Sequence, residues 1–208
     1  MRLVVTVARY VIAAAMLAAI VTSLMWSIDS GKFNPFNFFG YFTIQNNLIG
    51  AAALILAAPR TGRERPQWLE YLRACAATYL FIVVTVYWTL LAPVTEDPIV
   101  EWTNLVLHLV SGVALLVDWL IEGPRRTLPL RSVWVVLVYP VLWAIVVLIR
   151  GATDGWFPYP FLDPANGYAS IAGVIAAIFV AGAAVGAMFF TTTRWRIVTP
   201  EAGVRETQ

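Results

Sequence analysis

The stretch that decides the fold runs from residue 33 to residue 59, FNPFNFFGYFTIQNNLIGAAALILAAP, and lies between Lys32 and Arg60. Its 27 residues carry no charge. A helix needs roughly 17 to 25 apolar residues to cross the hydrocarbon core of a bilayer, so this run is long enough. Within it, the segment 36–47 places a hydroxyl, an amide run and five aromatic rings at the mouth of the span. The stretch therefore predicts a membrane-spanning helix that carries polar groups into the bilayer.

The polar groups of this stretch fall on one face of the predicted helix. Thr43, Asn46 and Asn47 stand at positions i, i+3 and i+4, and residues at these spacings share a helix face. If the helix starts near Phe38, Thr43 lies about six residues, or ~9 Å, inside it. In lipid, such a face needs partners on neighbouring helices.

The composition extends the prediction to the whole chain, because 60% of its residues are hydrophobic, 12% are charged and the mean hydropathy is +0.76. These values exclude a soluble domain and predict an all-α polytopic membrane protein. We expect a single bundle of six transmembrane helices over residues 1–196, followed by a polar cytoplasmic tail at 197–208. The charge-free runs place the spans at about 7–27, 38–58, 74–92, 102–121, 132–149 and 168–190.

The basic residues predict the orientation of the chain. Of its 14 Lys and Arg residues, all but Lys32 and Arg150 lie in the N-terminus, the second and fourth connections and the C-terminal tail. By the positive-inside rule, both termini are cytoplasmic and the protein resides in the cell membrane. The net charge of +2 therefore reflects topology and does not indicate nucleic-acid binding.

The rare residue types limit the available chemistry. Cys75 is the only cysteine and His108 the only histidine. They exclude disulfides within the chain, bis-histidine haem and zinc sites with several His or Cys ligands. We therefore predict neither a metal nor a cofactor.

The fourth span carries a second polar face. Asn104, His108, Ser111, Leu115 and Asp118 follow one helix face and include two ionisable groups, so this face must point into the bundle. Because the second and fourth spans both run inward from the outer surface, Thr43 and His108 share a depth of roughly 10 Å. A threonine hydroxyl beside a neutral imidazole is the minimum for acyl transfer. The alternative is a structural hydrogen bond between two helices, and the pattern leaves both open.

Other polar residues are candidates for supporting roles. Asn104 or Asp163 is placed to orient the imidazole, whereas Asp118 lies ~15 Å further inward. We expect Asp118 near the inner interface, paired with an arginine such as Arg125. The candidates for oxyanion donors or substrate contacts are Gln45, Asn46, Asn47, Asn104 and Ser111.

Two further segments carry predictions. Residues 154–168 form a long outer loop rich in proline, glycine and aromatic residues, which we expect to be ordered and to cover the outer mouth of the bundle. In the last span, Gly182 and Gly186 form a small-residue surface for close helix packing or for self-association.

Four strings resemble the androgen-induced membrane protein family, in its bacterial six-span branch: YFTIQNN at 41–47, DWL at 118–120, YP at 139–140 and GWFPYPFLD at 155–163. The resemblance covers nearly the whole chain. The characterised animal members of that family are threonine hydrolases that cleave fatty acid esters of hydroxy fatty acids, and they use a threonine in the second span and a histidine in a later one. The resemblance implies these roles for Thr43 and His108, and it assigns no catalytic role to the DWL and WFPYPFL strings.

Residues and resemblance together favour a membrane hydrolase of lipid esters that takes its substrate from the bilayer. The alternatives are a small-solute transporter or channel that uses the polar face of the fourth span, and a non-catalytic membrane scaffold. Continuity separates the first two: a transport path needs polar groups at every depth, whereas a lipid hydrolase needs a pocket that is closed toward the inner side.

Overall fold

The computed structural model describes residues 1–94, 100–124 and 127–192. Within these ranges, six helices are long and apolar enough to cross a membrane, which confirms the predicted all-α, six-helix architecture. Arg125 and the predicted tail at 197–208 lie outside the described residues. The helices are α1 Arg2–Asp29, α2 Phe42–Arg60, α3 Gln67–Leu91, α4 Glu101–Ile121, α5 Leu130–Thr153 and α6 Tyr168–Thr191.

Helix α3 lies at the centre of the bundle, in contact with α2, α4, α5 and α6, while α1 packs on α2 and α4. About 61% of the most apolar window of α3 is buried, against 17% for α6. Small side chains permit the close approach of α2 and α3, since Ala53 and Ala74 have no exposed surface. Helices α5 and α6 lie at the periphery of the bundle and therefore present most of their surface to lipid.

An ion cluster of six buried side chains joins α1, α3 and α4 at the end of the bundle where the chain begins, which was predicted to be cytoplasmic and is called the inner end below. Asp118 accepts hydrogen bonds from Arg9 Nε at 2.6 Å and from Arg73 Nη2 at 2.7 Å. This confirms that Asp118 pairs with arginine, and it shows that the partners come from α1 and α3. Three positive and three negative charges balance, because the remaining members are Arg65, Glu70 and Glu122.

An apolar layer separates the ion cluster from the outer half of the bundle. Gly50 of α2 faces Met16 of α1, Leu80 of α3 and Leu115 of α4, and these three side chains are at most 2% exposed. At these positions the four helices meet through a glycine and three apolar side chains. Along α4, Leu115 lies between the histidine and the aspartate of the polar face that the sequence predicted.

The small-residue surface of α6 packs within the chain. A Cβ atom added to Gly186 would lie 2.8 Å from Val136 Cγ2, and one added to Gly182 would lie 3.0 Å from Ile82 Cδ1. These glycines let α6 approach α5 and α3 closely. The surface that was expected to permit self-association is therefore occupied by helices of the same chain.

The crossing of α3 and α4 depends on Gly112, because a Cβ atom there would lie 2.9 Å from the backbone oxygen of Leu80. We expect Gly112→Ala to push the two helices apart and to lower the free energy of unfolding by about 1–3 kcal/mol, as overpacking does in other cores. Thermal unfolding of the purified protein in detergent measures the change. Gly173→Ala is the matched control, since nothing lies within 4 Å of its added Cβ. Equal melting temperatures for the two variants would contradict this account of the crossing.

Removing one negative charge from the ion cluster should leave it with one uncompensated positive charge. Asp118→Asn keeps the shape of the side chain but leaves Arg9 and Arg73 without their shared carboxylate, so we expect a loss of about 3–5 kcal/mol in unfolding free energy. The control is Asp154→Asn, which breaks a solvent-exposed pair with Arg150 and should change stability little. A comparable effect of both substitutions on chemical unfolding would show that the cluster is not a major source of stability.

Candidate active site

The first turn of α2 carries Thr43, and this helix begins later than the sequence predicted. A short helix, Pro35–Phe38, comes first, and α2 starts only at Phe42, after Tyr41 in an extended conformation. Thr43 is therefore the second residue of its helix, and the prediction that it lies about six residues inside was wrong. The break occurs at Gly40, whose carbonyl accepts a hydrogen bond from an indole of α5 at 2.9 Å. As a consequence, the N–H groups of a helix start lie inside the bundle beside the threonine.

His108 lies on a π-helical turn of α4, residues Val106–Val110, which faces a second π-helical turn at the end of α3, Tyr87–Leu91. The Tyr87 ring stacks on the imidazole with 3.8 Å between ring centroids. The indole of Trp88 donates a hydrogen bond to the His108 carbonyl at 3.1 Å. Such π turns often occur at functional sites, and here they bring one helix against the histidine of another.

The structure brings Thr43 and His108 together, with 3.4 Å between the threonine Oγ1 and the imidazole Nε2. The other ring nitrogen, Nδ1, lies 2.5 Å from Asn104 Oδ1 and 3.2 Å from the Asn104 backbone oxygen. The Asn104 amide nitrogen donates to the Tyr87 hydroxyl at 2.6 Å, which fixes the orientation of the amide. Since both partners of Nδ1 are acceptors, the geometry favours the tautomer with the imidazole proton on Nδ1.

This tautomer leaves the Nε2 lone pair directed at the threonine hydroxyl. Thr43, His108 and Asn104 then form a chain of contacts in the same order as the hydroxyl, imidazole and orienting group of catalytic triads. The threonine-to-histidine distance is longer than an ideal hydrogen bond, as is common for catalytic contacts without substrate. Thr43 and His108 are each 8% exposed. Asn104 thus occupies the orienting position that the sequence allowed, whereas Asp163 caps a turn of the outer loop.

The remaining polar candidates are not directed at the Thr43 hydroxyl. The amide of Asn47 donates to the carbonyls of Thr43 and Leu107, and thereby joins α2 to α4. Buried backbone carbonyls need donors, and in the structure these side chains supply them. Their roles as oxyanion donors or substrate contacts stay a prediction. The others donate in the same way: Gln45 to Phe39 at 2.6 Å, Asn46 to Phe42 at 2.7 Å and Ser111 to Leu107 at 3.2 Å.

The outer loop supplies a residue that sequence reasoning missed. The hydroxyl of Tyr159 accepts a hydrogen bond from the Thr43 N–H at 3.4 Å, and the same oxygen interacts with the Thr43 side chain and the Phe42 N–H. Its ring lies between those of Tyr41, Trp143 and Phe161. The sequence feature that could have indicated this residue is a tyrosine between two prolines, in a loop that was expected to cover the outer mouth of the bundle.

The loop packs as the sequence predicted. Leu162 is 4% exposed, and the Trp156 ring lies 4.1 Å from the guanidinium carbon of Arg150. Arg150 also donates to Asn37 and Asp154, so it joins the loop to the segment that precedes α2. The loop is therefore fixed over the start of α2.

Two cavities meet at Thr43, which lines both of them together with Tyr87, Leu91 and Tyr159. The first lies between α3, α5 and α6, is almost wholly apolar and is partly open to the surroundings. The second lies between α1, α4 and the outer loops, and its edge carries serine, asparagine and lysine side chains: Ser23, Ser27, Lys32, Asn34 and Asn37. The threonine hydroxyl is thus placed at the junction of an apolar slot and a polar-edged cleft.

The phenols at the site are neutral hydrogen-bond donors at physiological pH. Burial raises the pKa of Tyr159 to about 12, and burial likewise raises the pKa of Tyr41. Among the described residues, no three His, Cys, Asp or Glu side chains come together as a metal site would require. The chemistry available at Thr43 is therefore that of a hydroxyl, an imidazole and neutral donors.

Comparison with known proteins gives one match. The sequence model of a family described as FAR-17a/AIG1-like protein matches residues 1–195. No curated protein and no solved structure matches the chain.

The imidazole tautomer can be measured directly, because the chain contains one histidine. With 15N-labelled histidine and a purification tag that lacks histidine, we expect a protonated signal from Nδ1 and an unprotonated signal from Nε2. Asn104→Ala should shift the equilibrium toward the Nε2–H tautomer, since Nδ1 loses its closest acceptor. Ser111→Ala, one turn further along α4, is the control and should leave the spectrum unchanged. An Nε2–H tautomer in the unsubstituted protein would contradict the assignment of Nε2 as the base.

Proposed function

We propose that this chain is an integral membrane hydrolase of lipid esters, with Thr43 as nucleophile and His108 as base. The chain belongs to the FAR-17a/AIG1-like family, which is the androgen-induced gene 1 family. The observation that carries the proposal is the order of Thr43, His108 and Asn104 at the junction of two cavities. Membership of a family does not by itself show an activity, so the support for hydrolysis is the arrangement of these three side chains.

The geometry favours a two-step acyl transfer. Thr43 Oγ1 attacks the ester carbonyl carbon while His108 Nε2 accepts the hydroxyl proton, and the carbonyl electron pair moves to its oxygen. When the carbonyl re-forms, the bond to the alcohol oxygen breaks and that oxygen takes the proton from His108. Water then attacks the acyl-threonine in the same way, so the carboxylic acid leaves and the threonine hydroxyl is restored. Throughout both steps, Asn104 Oδ1 holds the Nδ1–H and orients the ring.

The cavities favour a substrate with one long apolar arm. The slot between α3, α5 and α6 matches an acyl chain in chemistry, because its lining is apolar apart from Thr43, Tyr87 and Tyr159. The alcohol side would then lie in the polar-edged cleft. A fatty acid ester of a hydroxy fatty acid, the substrate class implied by the resemblance, is one lipid of this kind. We further propose that both termini are cytoplasmic, so that the site opens toward the outer leaflet of the cell membrane.

The inner half of the bundle disfavours the transport alternative. Below His108, the apolar layer of Met16, Leu80 and Leu115 fills the interior. Beyond it, the charges of the ion cluster are directed at one another. A solute that followed the polar face of α4 would have to separate the side chains of the apolar layer and of the ion cluster. A lipid ester would have to enter only the outer half of the bundle.

Hydrolysis by substituted proteins tests the proposal. Thr43→Val removes the hydroxyl at nearly constant volume, and His108→Gln removes the base, so we expect each to lower the hydrolysis of a fluorogenic long-chain umbelliferyl ester by about a thousandfold or more. The double variant should be no worse than either single variant, because the two groups act as one unit. Thr43→Ser, which keeps the hydroxyl, should retain activity.

The matched control is Thr78→Val, which makes the same change at a buried threonine of α3 that bonds only to the Ala74 carbonyl. It should hydrolyse the ester at the unsubstituted rate. If Thr43→Val also retained full activity, or lost activity only in step with its melting temperature, the contact with His108 would be a structural bond between helices and not a catalytic pair.

A further inference from the structure

A hydrolase at this site needs a donor for the negative charge that develops on the ester carbonyl oxygen. The amides of Asn46 and Asn47 already donate to carbonyls of α2 or of α4. We infer that Tyr159 is a catalytic residue whose phenol O–H donates the hydrogen bond that stabilises this oxyanion. The inference rests on the proposed function and extends it to a residue of the outer loop.

The position of the phenol oxygen supports this role. It accepts the Thr43 N–H at 3.4 Å and also interacts with the Thr43 hydroxyl and the Phe42 N–H. Because the N–H groups approach the oxygen as donors, the phenol's own hydrogen is directed away from them. Thr43 and Tyr159 line both cavities, so an ester carbonyl that spans the junction lies next to the nucleophile and the phenol together.

The ring is held in place before substrate binds. Tyr41, Trp143 and Phe161 contact it with centroid distances of 5.9, 6.1 and 5.4 Å. Pro158 and Pro160 restrict the backbone on either side. A donor that needs no reorganisation at the moment of reaction stabilises the transition state most, which is the basis of oxyanion holes.

The charge state of the group agrees with donation. Burial raises the pKa of Tyr159 to about 12, so the phenol keeps its proton throughout the physiological range. The start of α2 contributes in the same sense, because the partial positive charge of a helix N-terminus favours an adjacent anion.

In the reaction, the bond between Thr43 Oγ1 and the carbonyl carbon forms as the hydroxyl proton moves to His108 Nε2. The carbonyl electron pair moves onto oxygen, and the Tyr159 O–H shortens its hydrogen bond to that oxygen without transferring its proton. On collapse, the pair returns, the bond to the leaving alcohol breaks and His108 protonates the alcohol oxygen. Tyr159 donates again when water attacks the acyl-threonine.

Tyr159→Phe tests the inference, because it removes the hydroxyl and keeps the ring packing. In the full-length protein, we expect kcat for the umbelliferyl ester to fall about a hundredfold to a thousandfold with little change in KM, as for the loss of one oxyanion donor. The rate of reaction with a long-chain fluorophosphonate should fall with it, since the tetrahedral phosphonate presents an oxygen to the same donor. Tyr168→Phe is the matched control, because Tyr168 is 71% exposed at the end of the same loop, and it should leave both rates unchanged.

The outcomes separate this inference from the proposed function. Full kcat in Tyr159→Phe, while Thr43→Val is inactive, would overturn the role of Tyr159 and leave the hydrolase intact. A raised KM at unchanged kcat would identify a binding residue only, and a fall in kcat matched by a fall in melting temperature would identify a structural one; either result overturns the inference. An unsubstituted protein inert toward both ester and phosphonate would overturn the proposed function, and this inference with it.

Discussion

Polar groups inside hydrocarbon must find their partners within the protein, and this requirement fixes how α1 to α4 face one another. Asp118 satisfies it by joining Arg9 of α1 to Arg73 of α3. Asn47 satisfies it nearer the start of α4, where it donates to the Leu107 carbonyl. These bonds set the rotation of the helices about their axes, and this rotation directs His108 at the start of α2.

The polar side chains at the two ends of the bundle differ in their access to a ligand after they have paired with one another. At the inner end, charges of opposite sign face one another and the apolar layer lies above them. At the outer end, the pairing is directed: Asn104 engages one nitrogen of His108 and Thr43 meets the other. The threonine hydroxyl and the Tyr159 phenol both border open cavities. The inner end therefore supplies rigidity, and the outer end combines that rigidity with access for a ligand.

Sequence periodicity was enough to predict the six helices, and the polar faces of the second and fourth spans were enough to predict that Thr43 and His108 meet. The counted depth of Thr43 was wrong, because it assumed that the helix starts near Phe38. Periodicity also placed Asn104 one turn from the histidine. The start of α2 was missed because Gly40 is one glycine among aromatics, and the ring of Trp156, which a Cβ at that glycine would strike, comes from a loop more than a hundred residues later.

Other features were not predicted because they depend on contacts between residues that are far apart in the sequence. Arg9 was read only as a topological charge, and nothing local reveals that it reaches Asp118 of α4. The direction of the amides was equally hidden, since Asn46 and Asn47 have the same donors whether they serve a backbone carbonyl or a substrate. Tyr159 meets Thr43 only because the outer loop folds back across the bundle.

The most direct test of the central claim is to locate the covalent adduct that forms when the full-length protein reacts with a long-chain fluorophosphonate. We expect tandem mass spectrometry of the digested protein to place the phosphonyl group on Thr43, because its hydroxyl is the one that faces the Nε2 of His108. An adduct on another side chain, or an unsubstituted protein that forms none, would contradict the assignment of Thr43 as the nucleophile.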